Sequence, residues 1–234
     1  MLILPVNKSL KETFMEAIEC ITTRSSIRKF SAEPVSRETV SEIVKTAQWS
    51  PSYKNSQPCE VVAVSGSRKE ALTAMLLELL ESKTDTSPDI PTPASWPEPV
   101  NSRINELMAK RSAQSGIDLN APESVIRSKK ANFRFFGAPC GLFILQDASL
   151  GEWSILDSGL FIQSLMLAAH AKGLATVPQA FLTDYAREIK SFLGIPETMR
   201  LLLGISLGYP GAAPDAMPPR PDRVPVEEIL RFIE

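Results

Sequence analysis

The sequence predicts a single α+β domain over residues 1–234, with a mixed central sheet flanked by helices. Three observations support this fold class. Four short apolar segments are typical of strands, and they are scattered among eight segments with the helical spacing of apolar residues. One predicted helix, in the second half of the chain, carries no charged side chain between its ends. Neither a GxGxxG motif nor a P-loop is present, so a nucleotide-binding Rossmann unit is not predicted.

The uncharged helix lies between Asp157 and Lys172, and its apolar side chains cover nearly the whole circumference. A helix that is apolar on all sides is buried on all sides. Ser149 and Glu152 have the spacing of a capping box at its start, and Gly173 suits the left-handed position after its end. A membrane span needs roughly 20 apolar residues, more than this segment has. We therefore expect a central helix of a soluble protein, buried either in the core of a monomer or also against a second subunit.

The composition narrows the classes of function. The formal charge of −2 gives no indication of nucleic-acid binding, and the apolar fraction of 44% is ample for a core. Three widely spaced cysteines predict a cytoplasmic protein rather than a disulfide framework or a zinc site. The apolar segment at the N-terminus is too short for a secretory signal. His170 is the one histidine, which excludes a His-rich metal site, so we expect a bound group to supply the chemistry.

The first third of the chain has two polar segments that could bind a ligand. Residues 23–30 follow a predicted helix over 9–22 and bring arginines and hydroxyls close together. Such a segment is either a solvated basic turn or an anion site, because guanidinium groups form strong charge-assisted bonds with phosphate. Residues 51–58 form a proline-bounded loop between a helix that Ser36 caps and a strand over 60–65. This loop is either a plain connection or part of a ligand site.

The rest of the chain continues the α+β pattern. Residues 84–99 contain five prolines and predict an extended surface excursion without regular structure. Continuous apolar strands, covered on both faces, are predicted over 140–146 and 199–207. The other predicted elements are helices over 68–83, 100–114 and 122–134, a short strand over 174–177, a helix that Thr183 caps and that runs through Leu193, and a terminal helix that Pro225 opens.

Four motifs together resemble the FMN-dependent nitroreductase family, from about residue 22 to the C-terminus. They are RSSIRKF at 24–30, PSYKNSQP at 51–58, QSLMLAAHAKG at 163–173, and IPE at 195–197 leading to LGYP at 207–210. Each motif alone is weakly specific, whereas their order and spacing together are specific. Residues 84–135 resemble the family least, and we predict that they form a variable Pro-rich and helical insertion.

The resemblance implies an interlocked nitroreductase-like homodimer with one FMN in each of two clefts between the subunits. It assigns Arg24, Ser25 and Ser26 to the FMN phosphate and ribityl chain, and Arg28 to the N1–C2=O edge of the flavin ring. The further cofactor-binding residues are Pro51, Ser52 and Asn55 reaching the flavin of the other subunit, Pro178, Gln179 and Ala180 near N5, and Arg223 with Arg220 at the phosphate. Which late arginine binds the phosphate stays open. No catalytic side chain and no metal is implied.

The same resemblance implies an oxidoreductase that takes electrons from NADH or NADPH and passes them through FMN to a nitroaromatic or quinone acceptor. The expected scheme is ping-pong, and the expected partners are a second copy of the chain and a small-molecule oxidant, without nucleic acid or membrane. Because one fold hosts several chemistries, a flavin-dependent dehydrogenase or dehalogenase remains an alternative. A flavin-binding protein without turnover is another.

Overall fold

The computed structural model describes residues 15–212 and 220–234, and its elements confirm the α+β class. The helices and strands are α1 (Ala17–Thr23), α2 (Arg37–Ala47), β1 (Glu60–Ser65), α3 (Gly66–Glu81), α4 (Glu98–Ser115), α5 (Pro122–Phe133), β2 (Cys140–Asp147), α6 (Glu152–Ala171), β3 (Ala175–Gln179), α7 (Ala186–Leu193) and β4 (Met199–Gly208). Short 3₁₀ turns cover Tyr53–Asn55, Phe135–Gly137, Ala180–Thr183 and Val226–Glu228.

The four strands form one sheet in the order β1-β2-β4-β3, and every neighbouring pair is antiparallel. This arrangement corrects the predicted mixed sheet. Within the described residues, parallel pairing is limited to an isolated bridge between Ser26 and Thr176. Continuous apolar strands are typical of parallel sheets because helices cover both faces there. Helices also cover both faces of this antiparallel sheet, so the apolar pattern did not distinguish the strand directions.

Two hydrophobic clusters pack on opposite faces of the sheet, and β2 contributes to both. Phe143 and Leu145 belong to the cluster formed with α3, α5 and α7. Leu142 and Ile144 belong to the cluster formed with α2 and α6. All four side chains are fully buried. Successive side chains of a strand point to opposite faces, which explains the alternation. The sheet therefore separates the side on which α6 packs from the side that carries α5 and α7.

Several local predictions are confirmed. β1 has the predicted bounds, 60–65. Ser36 caps α2, because its Oγ accepts a hydrogen bond from the Thr39 N–H at 3.0 Å. Gly173 follows α6 with a φ of +76°, a left-handed conformation that costs glycine little. The start of the helix predicted over 9–22 lies outside the described residues.

Two predicted helix caps and one predicted helix are wrong, and the structure gives a physical reason for each. Ser149 lies in the turn after β2, where its N–H donates to Asp147 Oδ1 at 2.8 Å, and α6 begins without a side-chain cap. Thr183 donates its hydroxyl proton to the Ala180 carbonyl at 2.8 Å inside a 3₁₀ turn, so it does not cap α7. After Pro225 only a single turn forms. The terminal segment is exposed, and a short helix without a packed face is not stable.

Residues 84–97 contain no helix or strand, whereas the last two residues of the excursion predicted over 84–99 belong to α4. The excursion is attached to the core by a charged contact. The Asp89 carboxylate accepts a hydrogen bond from Lys190 Nζ at 2.9 Å and another from the Leu201 N–H at 2.7 Å. Lys190 is buried, and this ion pair joins the excursion to α7 and β4. That residues 84–135 form a variable insertion stays a prediction.

One face of α6 is uncovered within the chain. Trp153, Leu156 and Leu160 follow one another along this face and are 67%, 56% and 43% exposed. Ile18 and Ile21 of α1 are exposed as well. The opposite side of α6 is buried against the sheet and α2. In residues 15–212 and 220–234, no helix has the length and apolar character needed to cross a membrane.

Candidate functional site

The basic segment at 24–28 lies along the edge of the sheet, beside β3. Ser26 forms the parallel bridge with Thr176, and the Ile27 N–H donates to the Thr176 carbonyl at 3.1 Å. Ile27 is buried, which anchors the segment. The other end of β3 leads into 178–180. The structure therefore places two of the predicted cofactor-binding segments beside the same strand.

Three arginines from opposite ends of the sequence meet near the start of this segment. We call Arg24, Arg220 and Arg223 the arginine cluster. Arg24 Nη1 is buried and has no hydrogen-bond partner among the described residues. Burial lowers the pKa of Arg24, and the charges of Arg223 and Arg220 lower that pKa further. Arg220 is held at the end of α1, where its Nη1 donates to the Thr22 carbonyl.

The arginine cluster fits a phosphate monoester. A buried guanidinium nitrogen without a partner, such as Arg24 Nη1, has lost the hydrogen bond that water gave it. The two neighbouring cations add a repulsion that a bound anion would offset. None of the three arginines pairs with a carboxylate in the described part of the chain. A phosphate monoester carries nearly two negative charges and three acceptor oxygens, so it matches this group of donors.

His170 lies next to the arginine cluster, in the last turn of α6. Its Nε2 is 2.8 Å from the Thr23 hydroxyl oxygen, a hydrogen bond between α6 and α1. Burial lowers the pKa of His170, and the charges of Arg24 and Arg220 lower it further. The neutral form is therefore favoured. The contact with Thr23 gives this histidine a structural partner at the helix end.

Arg28 lies beyond the arginine cluster and has a different neighbour. Its guanidinium carbon is 5.9 Å from the centroid of the Phe136 ring, and Nη1 donates to the Ser26 carbonyl at 3.4 Å. Burial lowers the pKa of Arg28, and the charge of Arg111 on α4 lowers it further. Sequence reasoning missed Arg111. A cation on a polar helix usually lies on a solvated face, so no sequence signal could have identified Arg111. Ser25 is half-buried in the same segment as Arg28.

The loop at 51–58 is attached to the middle of α6 by Asp157. Oδ2 of Asp157 accepts hydrogen bonds from the Tyr53 N–H at 3.0 Å and from the Ser56 hydroxyl at 3.4 Å. Asp157 is buried. Sequence reasoning treated this residue only as the boundary of the uncharged helix. The available signal was a single acid at the edge of an apolar helix. A buried carboxylate requires hydrogen-bond donors, so this acid indicated that another segment packs against it.

The same loop is strained and closed on itself. Lys54, Asn55 and Gln57 have φ values of 52°, 58° and 46°, in the left-handed region that side chains with a Cβ rarely adopt. The Gln57 N–H donates to Ser52 Oγ at 3.0 Å. Asn55, one of the predicted site residues, is exposed on this loop. Such backbone strain persists only where surrounding contacts impose it. Here those contacts come from Ser52 and α6.

Of the predicted residues at the end of β3, Gln179 has its side chain committed to the core. Nε2 of Gln179 donates to the Asn132 carbonyl and side-chain oxygens at 3.1 and 3.0 Å. Oε1 accepts a hydrogen bond from the Ser206 hydroxyl. Only the main chain of Gln179 is left to meet a ligand. Pro178 is half-buried and Ala180 is exposed.

Two cavities adjoin these groups and share no lining residue. One of about 140 Å³ is lined by α6 and by the loop at 51–58, including Pro51 and Ser52. The other, of about 710 Å³, lies between α4 and residues 220–228. Arg220 and Arg223 of the arginine cluster line the larger cavity together with Arg111, so these arginines and the loop line different cavities. No group of three His, Cys, Asp or Glu side chains suited to a metal ion occurs within the described residues.

Comparison with known proteins identifies the nitroreductase family. The model of the nitroreductase family matches residues 21–209. A 4-nitrobenzoate reductase of Pseudomonas putida is 34% identical over 193 residues, which are 81% of this chain and 83% of that protein. A nitrobenzene nitroreductase of Ectopseudomonas oleovorans is 30% identical and covers 92% of this chain and 96% of its own.

The fold agrees with the sequence comparison. The crystal structure of the FMN- and NADPH-dependent nitroreductase NfnB from Sphigopyxis sp. strain HMH superposes with a TM-score of 0.88. It is 28% identical and covers 94% of this chain and 100% of its own. Sequence, fold and motif order agree, and the chain belongs to the nitroreductase family.

Proposed function

We propose that this protein is an FMN-dependent oxidoreductase that transfers electrons from NADH or NADPH to a nitroaromatic compound or a quinone. The observation that carries the proposal is the buried, unpartnered Nη1 of Arg24 beside two further arginines. The similar proteins named above are nitroreductases, and NfnB is FMN- and NADPH-dependent. FMN would supply the hydride transfer, and the protein supplies binding and orientation.

Each residue of the proposed site has a definite task. The arginine cluster holds the phosphate, and the hydroxyls of Ser25 and Ser26 are available to the ribityl chain. Arg28 places a fixed positive charge at the N1–C2=O edge, which favours the electron-rich form of the ring. Pro178 has no backbone N–H, so the main-chain donor near N5 would be the N–H of Gln179 or of Ala180. No side chain of the protein acts as nucleophile, acid or base.

The nucleotide and the oxidant use the same cleft in turn, a ping-pong scheme. NAD(P)H would bind first and leave as NAD(P)+ before the oxidant enters, and bound FMN would hold the hydride equivalent between the two half-reactions. Aromatic nitro compounds are the favoured oxidants, because two relatives are named for the reduction of 4-nitrobenzoate and of nitrobenzene. The three cysteines are free, which supports a cytoplasmic location.

The working unit in this proposal is a homodimer with shared sites. The uncovered apolar face of α6 and α1 supports it, since exposed apolar patches of this kind mark protein interfaces. The loop at 51–58 and the late arginines line different cavities within one chain, which also supports a site shared between subunits. In a two-fold dimer, Pro51, Ser52 and Asn55 of one subunit would serve the flavin that the other subunit binds.

Two measurements test the proposed function. Mass spectrometry of flavin released from the purified protein should identify FMN rather than FAD, because the arginine cluster suits a terminal phosphate. Under anaerobic conditions the yellow protein should bleach with NADPH or NADH and regain its colour with a nitroarene. A protein that binds only FAD, or that does not bleach, would contradict the proposal.

The shared site has its own test. One variant carries Arg24→Ala, and the other carries Ser52→Ala with Asn55→Ala, each expected to be nearly inactive. In a mixed two-fold dimer one site collects both defects and the other collects neither. With random pairing, equal amounts should restore roughly a quarter of the wild-type activity. Confirmed mixed dimers without recovered activity would show that each site is built within one chain.

A further inference from the structure

The further inference concerns the polar side chains behind the end of β3. Nε2 of Gln179 donates to the carbonyl oxygen and to Oδ1 of Asn132, at 3.1 and 3.0 Å. The Ser206 hydroxyl donates to Gln179 Oε1. Asn132 in turn donates from Nδ2 to the Ser128 carbonyl at 2.8 Å. We call Asn132, Gln179 and Ser206 the Gln179 network, and its hydrogen bonds hold the Gln179 side chain in one position.

The Gln179 network joins three elements inside the core. Asn132 lies in the last turn of α5, Gln179 ends β3, and Ser206 belongs to β4. The three residues are 7%, 2% and 0% exposed, so their side chains do not themselves contact a ligand at the edge of the sheet. A buried polar network whose members are bonded to one another rigidifies the main chain that carries it. Any effect of this network on a ligand therefore acts through the main chain.

The strand pairing fixes the direction of the main-chain N–H groups at the end of β3. The Thr176 carbonyl accepts from the Ile27 N–H, so Thr176 faces the basic segment. Directions alternate along a strand, and Gln179, paired with Gly204, faces β4. Gln179 is extended, with φ −136° and ψ 102°. In a planar trans peptide an N–H points opposite to the preceding carbonyl. The Ala180 N–H therefore points to the edge where the basic segment lies.

The exposed Ala180 lies between two buried anchors. The first is the Gln179 side chain. The second is Leu182, which is fully buried in the 3₁₀ turn that follows β3. A Cβ at Gly204 would overlap the Leu182 side chain, so the turn packs directly on the backbone of β4. The peptide that carries the Ala180 N–H is thus fixed from both sides while its donor stays accessible.

We infer that the Gln179 network aims the Ala180 N–H at N5 of the flavin, with Asn132 and Ser206 as positioning residues. This inference rests on the proposed function, which places residues 178–180 near N5. It also selects between the two donors considered there, since the Gln179 N–H is directed to β4. A hydrogen bond weakens steeply as its angle departs from linear, so the donor must be held in place. A donor that is held in advance needs no reordering when the ring arrives.

Three variants separate positioning from general stability. Gln179→Met keeps the length of the side chain and removes its amide. Ser206→Ala removes one hydrogen bond to that amide. Thr73→Val is the matched control, because the buried Thr73 hydroxyl donates to the Phe133 carbonyl at 3.0 Å, next to Asn132 at the end of α5. Urea unfolding should show similar losses of stability in Ser206→Ala and Thr73→Val, since each loses one core hydrogen bond.

The ¹⁵N chemical shift of N5 in labelled, bound FMN reports the hydrogen bond at this atom. In Gln179→Met the shift should move towards the value of FMN in an aprotic solvent. It should move less in Ser206→Ala and stay at the wild-type value in Thr73→Val. The Kd for FMN should rise about tenfold in Gln179→Met, the effect of one lost hydrogen bond, and stay unchanged in Thr73→Val.

A measurement on the apo-protein separates this inference from the proposed function. In ¹⁵N relaxation the Ala180 amide should become more mobile in Gln179→Met and Ser206→Ala, but not in Thr73→Val. A wild-type protein without affinity for FMN would contradict the proposed function, and the mobility of Ala180 would still decide whether the network orders this peptide.

Two results on the FMN-bound protein would overturn the inference. One is an N5 chemical shift that is equal in wild type and Gln179→Met. The other is an equal change of the shift in Ser206→Ala and Thr73→Val, which would leave the Gln179 network with a structural role alone. If Gln179→Met does not fold, the comparison of Ser206→Ala with Thr73→Val decides the question.

Discussion

The arginine cluster and the loop at 51–58 are both predicted to meet the cofactor, yet their internal contacts differ. The arginine cluster has three cations and a buried Nη1 without a partner. The loop has three strained residues, but the Tyr53 and Gln57 N–H groups and the Ser56 hydroxyl donate to Asp157 or Ser52. One region lacks interactions that a ligand can supply. The other is already held in its final conformation by the chain.

This difference has a simple physical meaning. An unsatisfied buried charge costs stability in the free protein and provides binding energy when the counter-ion arrives. The strained loop is already ordered by its contacts with α6. Ligand binding therefore requires no further loss of conformational entropy in the loop. Removing a cation of the arginine cluster should therefore leave the stability of the apo-protein equal or higher, whereas removing a contact that holds the loop should lower it.

The largest effect is expected at Arg24. The Arg24→Met substitution keeps an unbranched side chain but removes the charge, so FMN affinity should fall on the order of 100-fold, or about 2.8 kcal/mol. The free energy of unfolding of the apo-protein should stay equal or rise, because the substitution removes a buried unpartnered nitrogen and the repulsion from two neighbouring arginines. Fluorescence titration with FMN and urea unfolding measure the two quantities. Arg37→Met, at an exposed arginine of α2, is the control and should change neither.

The next largest effect is expected at Asp157. Replacing it by alanine removes the acceptor for the Tyr53 N–H and the Ser56 hydroxyl, so the apo-protein should lose about 2 kcal/mol of unfolding free energy. Asp157→Asn keeps one acceptor oxygen and should lose about half as much. Urea unfolding of the three proteins gives the comparison. Equal stability of wild type and the alanine variant would mean that the loop is not held by this carboxylate.

A smaller effect, of opposite sign, is expected from relieving the strain. Lys54 is exposed with a φ of 52°, which glycine adopts at no steric cost. Lys54→Gly should raise the free energy of unfolding by about 0.5 kcal/mol after the loss of an exposed cation–π contact with Tyr53. The matched change Lys45→Gly in the last turn of α2 should lower it by about 1 kcal/mol. If both variants lose stability, the loop conformation differs from the one described.

The smallest effect is a change in proton binding at His170. The pKa of His170 is lowered from its ordinary value of 6.5 by burial, then by the charges of Arg24 and Arg220. The unfolded chain therefore binds the proton more readily. This contribution to stability is complete above about pH 6.5 and is lost as the pH falls from there towards the pKa of the folded protein. Bound phosphate offsets the charges of the two arginines, so FMN should raise the pKa of His170.

The single histidine makes this change directly measurable. One imidazole C2 proton resonance can be followed by NMR against pH, with and without FMN. We expect a pKa below 6.5 in the apo-protein and a higher value in the holoprotein. The same pKa in both would separate His170 electrostatically from the phosphate site.

Local features of the fold were predictable where the determining contacts lie within a few residues. The bounds of β1, the cap at Ser36 and the left-handed Gly173 follow from nearest-neighbour chemistry. The predicted caps at Ser149 and Thr183 were wrong because each hydroxyl donates to a different nearby oxygen, namely Asp147 Oδ1 for Ser149 and the Ala180 carbonyl for Thr183. Strand direction was also beyond the sequence, since helices covering both faces give the same apolar strands in either arrangement.

The sequence by itself determined the family, the apolar character of α6 and the segment at 24–28, since these depend on residue types in a fixed order. The tertiary structure decided which charges meet. Arg24 and Arg223 are distant in sequence, and Arg111 is one of many polar residues on a helix, so only the fold shows that each has a cationic neighbour. Electrostatic interactions depend on distances in space and on burial, and neither can be read from residue order.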